Sequence, residues 1–184
     1  MKFLIILLLT INFIFSQENY FINNMRQLIF EGERSGEGYF GPSGNLLSFQ
    51  SERDDNNPFF QIYLLNFKNG DIRRISPGVG KTRCSWVHPN KNQVLFASTH
   101  LDPNALIKQK QELEFRKSGK SRRYSWDYDE NYELFLYDLN TNKYEQITNS
   151  IGYDAEGAIS PDGDWIVFSS NRSGYNEQMS DEDK

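Results

Sequence analysis

Three serine–cation pairs are the residues best placed to do chemistry in this chain. Ser51 and Arg53, Ser98 and His100, and Ser170 and Arg172 each stand two residues apart. A hydroxyl beside a fork of cationic donors suits a carboxylate ligand, such as a peptide or a protein tail. The same pairs can instead satisfy backbone carbonyls or nearby acids such as Glu37 and Glu156, so a binding and a structural reading stand side by side. A second basic group runs from Lys108 to Arg123, where seven basic residues accompany two acidic ones. Lys108, Lys110, Arg116, Arg122 and Arg123, with Trp126 as an aromatic anchor, form a candidate docking element for an acidic partner. The alternative is a solvated helical excursion whose aromatic residues pack back on the sheet.

Other constellations are weaker. Cys84, His88, His100 and Asp102 are zinc-ligand types, but their spacing matches no compact pattern. His88 precedes a turn proline and is expected on an exposed loop; Cys84 is expected in plain core packing. Asp127-Tyr-Asp129-Glu-Asn131 resembles the start of a calcium loop, with Tyr132 where glycine is required. Asp138-Leu-Asn140-Thr-Asn142 has the same defect at Lys143, and a hairpin turn explains it. There is no nucleophile elbow, phosphate loop, His-Glu-x-x-His or dinucleotide fingerprint. No catalytic residue, metal or cofactor is therefore assigned, and binding is the expected role. A net charge of −5 speaks against general nucleic-acid binding. Asn171-Arg-Ser173 is a formal glycosylation sequon.

The elements that must carry these residues follow from a repeat. Laid on Pro42, Pro89 and Pro161, three segments share a phenylalanine seven residues on (Phe49, Phe96, Phe168), the serine at nine and the cation at eleven. Ile62–Phe67 is echoed by Leu134–Leu139, and Ile75-Ser76 by Ile147-Thr148. The prolines lie 47 and then 72 residues apart, a difference of 25. Ile62 follows Pro42 by 20 residues and Leu134 follows Pro89 by 45, again a difference of 25, so one insertion accounts for both. A β-rich unit repeating at about 40–50 residues is a propeller blade.

The predicted fold is all-β: a partial β-propeller of four-stranded antiparallel blades, over about 31–76, 78–148 and 150–184. It comprises two full blades, part of a third and an orphan N-terminal strand at Met25–Phe30. Pro-Ser-Gly, Pro-Asn-Lys and Pro-Asp-Gly are the turns, and the apolar runs after them suit strands buried on both faces. A helical insertion, about 102–126, interrupts the second blade. Asp102-Pro103 is a start signal for a helix over Asn104–Lys117, with Leu106 and Leu113 on one face.

Both ends carry expectations. Residues 1–16 have the charged start, apolar core and small terminal residue of a secretory signal, so export to the periplasm or medium is expected, without stable membrane insertion after cleavage. The lone Cys84 has no partner for an internal disulfide. Rings close with about 4–8 blades, so the chain is expected to be a fragment, its open edge meeting the missing C-terminal part of its own propeller.

The pattern Ser-Pro-Asp-Gly-x-x-Ile-x-Phe-x-Ser-x-Arg, clearest at Ser160–Arg172, resembles the repeat of TolB-like proteins, and the resemblance spans residues 25–172. It implies an exported β-propeller that binds a protein or peptide partner. The chain differs from TolB proper in lacking an α/β domain between signal and propeller. Gly78–Trp86, Phe96–Pro103 and Arg122–Tyr128 are similar to a subgroup of which some precede a zinc-dependent aminopeptidase domain. That implies an alternative role, as the non-catalytic propeller of a secreted or periplasmic peptidase.

Overall fold

The computed structural model describes residues 23–123 and 127–176. Residues 1–30 and 31–184 are two separate units. Within the first, residues 23–30 pair with no strand among the described residues, so the segment expected as an orphan strand, Met25–Phe30, carries no ladder. Gln27 Nε2 donates to the Ile29 carbonyl at 2.7 Å within it.

The second unit is built of two complete blades and the start of a third. Blade 1 holds β1 (Arg34–Phe40), β2 (Leu46–Glu52), β3 (Gln61–Asn66) and β4 (Ile72–Arg74), paired antiparallel in that order. Blade 2 repeats it with β5 (Thr82–Val87), β6 (Gln93–Ser98), β7 (Glu133–Asp138) and β8 (Lys143–Gln146). The insertion, carrying helix α1 (Ala105–Lys117), leaves between β6 and β7. Among the described residues the third copy contributes β9 (Ala155–Ile159) and β10 (Ile166–Ser169), followed by a single turn, α2 (Ser173–Asn176). The first strands β1, β5 and β9 are neighbours in turn, so they form the inner rim of the arc.

The repeat acts through the same bonds in each copy. At the proline turn Gly41 N–H donates to Leu46, His88 to Gln93 and Ser160 to Trp165, at 2.8–2.9 Å. Gly44 and Gly163 take left-handed φ values of 69° and 83° there, which only glycine adopts at no steric cost. Where the outer strand ends, a hydroxyl replaces the missing ladder partner: Ile62 N–H donates to Ser76 Oγ and Leu134 N–H to Thr148 Oγ1, both at 2.9 Å. The repeated Ile-Ser and Ile-Thr pairs are therefore latches on the third strand.

Two cores lie between sheets. Ile62, Leu64, Val87, Val94 and Phe96 fill the space between blades 1 and 2. Leu95, Ala97, Leu134, Tyr153 and Ala155 fill that between blades 2 and 3. β2 and β6 are buried on both faces as expected, but β10 is not. Leu95 is 0 % exposed, whereas Val167 at the same place in the third copy is 70 % exposed. Leu95 has the next blade against it; among the described residues Val167 has none.

Candidate functional site

Each first strand bulges at one position, five residues before the turn proline. Glu37, Cys84 and Glu156 stand there with φ of 46°, 48° and 58°, and the strand registers shift across these bulges. Left-handed backbone at a non-glycine residue is uncommon, and here it turns three side chains out of their sheets at equivalent points. Cys84 is half-buried, and its thiol donates to Glu37 Oε2 at 3.4 Å. It is not the plain core residue expected from the apolar strand. Burial, and then the Glu37 charge, push its pKa up to about 12. Glu156 accepts from Tyr153 Oη at 3.1 Å and Ser169 Oγ at 3.2 Å. Among the described residues, Glu37 and Glu156 thus bond these partners rather than the serine–cation pairs.

The pairs themselves share one local geometry. Arg53 Nε donates to Ser51 Oγ at 3.1 Å, Arg172 Nε to Ser170 Oγ at 3.0 Å, and His100 Nδ1 lies 2.9 Å from Ser98 Oγ. Each cation or imidazole also lies over a ring of its own blade. Arg53 is 4.7 Å from Tyr63 and 5.5 Å from Phe49, Arg172 is 5.0 Å from Phe168, and His100 is 4.3 Å from Phe135. The hydroxyls reach back to the inner strand, Ser51 to Ser35 at 2.8 Å and Ser170 to Asp154 at 2.6 Å. Glu31 and Asp154 complete the arginine contacts. The three pairs thus fasten the end of each second strand. Burial lowers the His100 pKa, keeping the imidazole neutral.

His88 is 5 % exposed, which corrects the expected exposed loop. Its Nδ1 accepts the N–H groups of Asn90 and Lys91 at 3.1 and 3.2 Å. Blade 3 covers it: a Cβ on Gly163 would stand 2.8 Å from His88 Cε1, and Asn90 Nδ2 donates to the Asp162 carbonyl at 2.6 Å. His88 and His100 lie at opposite ends of the β5–β6 hairpin, and among the described residues no three metal-ligand side chains converge.

The insertion folds over blade 1 and is held by polar residues. Gln109 Oε1 accepts from Gly80 N–H at 2.7 Å, and its Nε2 donates to the Asn56 carbonyl at 3.2 Å. Arg116 reaches the Pro58 carbonyl at 2.8 Å and Glu52 at 3.2 Å. Lys108 Nζ sits 2.7 Å from Asp102 and 2.9 Å from Asp129, so an ammonium ion occupies the calcium-loop-like segment. Burial opposes the Asp129 charge, yet the Lys108 and Asn131 donors outweigh it and hold its pKa below the ordinary carboxylate range. Asp102 does not cap the helix in the expected way. Asn104 is the N-cap residue and makes no side-chain cap bond, while Asp102 Oδ1 accepts the Asn104 N–H.

Of the candidate docking residues, Lys108 and Arg116 are thus turned inward to fix the helix. Arg122 pairs with Glu112 and lies over Phe115, Lys110 is exposed 4.0 Å from Glu114, and Arg123 lines a cleft beneath the helix. Trp126 lies outside the described residues. The helix buries Ala105 and Gln109, while Leu106 is 64 % and Ile107 55 % exposed. Of the Leu106–Leu113 face, Leu106 is exposed and Leu113 half-buried. The cleft holds about 1000 Å³ between α1, the segment after it and the facing ends of β1, β2 and β5. Gln50, Lys81 and Phe115 are among its walls.

Solved structures with the same arrangement decide the fold. A putative TolB from Agrobacterium tumefaciens matches with a TM-score of 0.55 at 18 % identity, over 80 % of this chain and 42 % of its own. TolB from Acinetobacter baumannii matches with a TM-score of 0.51 at 20 % identity, over 77 % of this chain and 28 % of its own. The fold is that of a TolB-like β-propeller. The chain therefore spans less than half the length of either TolB structure. No known family profile matches the sequence, and no curated protein does. Among the described residues no helix is long and apolar enough to cross a membrane.

Proposed function

We propose that this chain is an exported TolB-like propeller arc that binds a protein partner through the outer side of its insertion helix. The observation that carries this reading is the inverted helix α1. Its polar Gln109 is buried, while Leu106 and Ile107 face solvent beside Lys110. Exposed apolar side chains on a helix pinned from behind mark a contact surface. The lysines and arginines not engaged with the blades favour an acidic partner. Export follows from the signal-like start, residues 1–16, which lie outside the described residues.

The arc belongs, in this reading, to a larger ring. Trp165 and Val167 present an apolar sheet face of the kind that another blade of the same chain covers. The alternative role, as the propeller of a secreted peptidase, is favoured by the same uncovered face and by the resemblance at Gly78–Trp86. In-frame coding sequence after Lys184 for further blades and a metal-binding domain supports it; blades followed by a stop codon exclude it.

The docking surface is tested by crosslinking the protein in the envelope fraction of its source cells. A Leu106→Glu, Ile107→Glu double variant is expected to lose the partner crosslink with its melting temperature unchanged. Persistence of that crosslink contradicts the proposal.

A further inference from the structure

The cleft beneath α1 holds an amide that the fold does not use. Gln50 is 5 % exposed, its Oε1 is fully buried, and among the described residues that oxygen has no hydrogen-bond partner. A buried polar group left unpaired opposes folding, so such groups call for an explanation. The repeat shows that the blade does not require one here. The same position, eight residues after the turn proline, holds Ala97 in the second copy and Ser169 in the third.

The side chain lines the cleft of about 1000 Å³ described above, at the upper end of the roughly 300–1,000 Å³ range of ligand clefts. The roof is fixed in advance. Arg116 ties α1 to Glu52 on the same strand as Gln50, two residues on, and Gln109 ties it to Gly80. A cleft held open by ion pairs and amide bonds loses little order on binding.

We propose that this cleft binds an extended peptide segment, with the Gln50 amide pairing to one peptide unit of the ligand. A primary amide has the same donor and acceptor as a peptide group, so the Gln50 side chain, its amide turned into the cleft, accepts a ligand N–H and donates to a ligand carbonyl. The rest of the wall suits peptide side chains. Phe59, Phe60 and Phe115 offer apolar surface, and Arg123 offers positive charge for an acidic residue. The inference rests on the reading of the chain as a binding module, but it uses the inner side of the insertion and not Leu106 or Ile107.

The test is NMR titration of the full chain. The first probe is an equimolar pool of N-acetylated, C-amidated pentapeptides. The second is an equimolar pool of maltopentaose and chitopentaose. Peptides are expected to shift the Gln50 Nε2 resonances together with the backbone signals of Lys81 and Phe115, saturably. Gln50→Leu is expected to weaken binding about tenfold, equivalent to ~1.4 kcal/mol, with an equal or higher melting temperature. Gln50→Met, of similar volume, repeats the test should the leucine variant fail to fold. No peptide-induced shift overturns the proposal, as does a response to the sugars alone or unchanged affinity in the variants. Loss of the peptide response with the Leu106-dependent crosslink intact rejects the cleft and spares the docking surface. The reverse result rejects the docking surface alone.

Discussion

The Cys84 thiol meets Glu37 Oε2 at 3.4 Å, joining the same left-handed bulge in two successive blades. A contact between equivalent positions of neighbouring repeats is what rotation about a common axis produces, with the first strand of each blade innermost. It also sets the chemistry of the thiol. With its pKa pushed up to about 12 by burial and by Glu37, Cys84 is protonated at neutral pH. Alkylation by iodoacetamide at pH 8 is expected to run more than ~10-fold slower than for a free cysteine with a pKa of about 8.5. Glu37→Gln is expected to speed it. A wild-type rate equal to that of the free thiol contradicts the contact.

Acid destabilises the blade junction. Burial, and then Lys91, lower the His88 pKa, so the unfolded chain holds that proton more tightly. Protons then favour unfolding, and stability is lost as pH falls below about 6.5, the ordinary histidine value. His100, lowered by burial, acts in the same direction. Thermal melts at pH 7.5 and 5.0 are expected to show a smaller drop for His88→Gln than for the wild type. Equal drops contradict the buried, neutral imidazole.

The hydroxyl latches offer a paired test of the repeat. Ser76→Ala and Thr148→Val each leave a buried strand N–H, of Ile62 and Leu134, without its acceptor. Each is expected to cost about 1–3 kcal/mol in denaturant unfolding. Costs that differ severalfold contradict the equivalence of the two positions.

Removing the polar seat of the insertion is the fourth prediction. Gln109→Leu orphans the Gly80 N–H and the Asn56 carbonyl. Amide exchange is expected to accelerate across α1 while β6 and β7 remain protected. Unchanged exchange in α1 contradicts the role given to Gln109.

The repeat made the blades legible because each strand, turn and latch is specified within its own copy, at matching offsets from the proline once the insertion is set aside. What it did not reveal depends on the next copy. His88 is buried because Gly163 of blade 3 lies on it, and Val167 is exposed for want of such a neighbour. The insertion misled through its leucines. Hydrophobic period put Leu106 and Leu113 on one face, but the helix is seated by Gln109, Lys108 and Arg116, whose partners lie on segments far away in sequence. Gln50 carries its own signal in the repeat: a long amide where the other copies have alanine and serine.

An experimental structure of the chain tests the common rotation most directly. Superposing residues 34–74 on the strands of blade 2 should define an axis, and the same operation should carry blade 2 onto β9 and β10. Phe49, Phe96 and Phe168 are then expected at one radius, with Glu37, Cys84 and Glu156 inside them. Two unrelated operations, or bulge side chains pointing away from a shared axis, would contradict it.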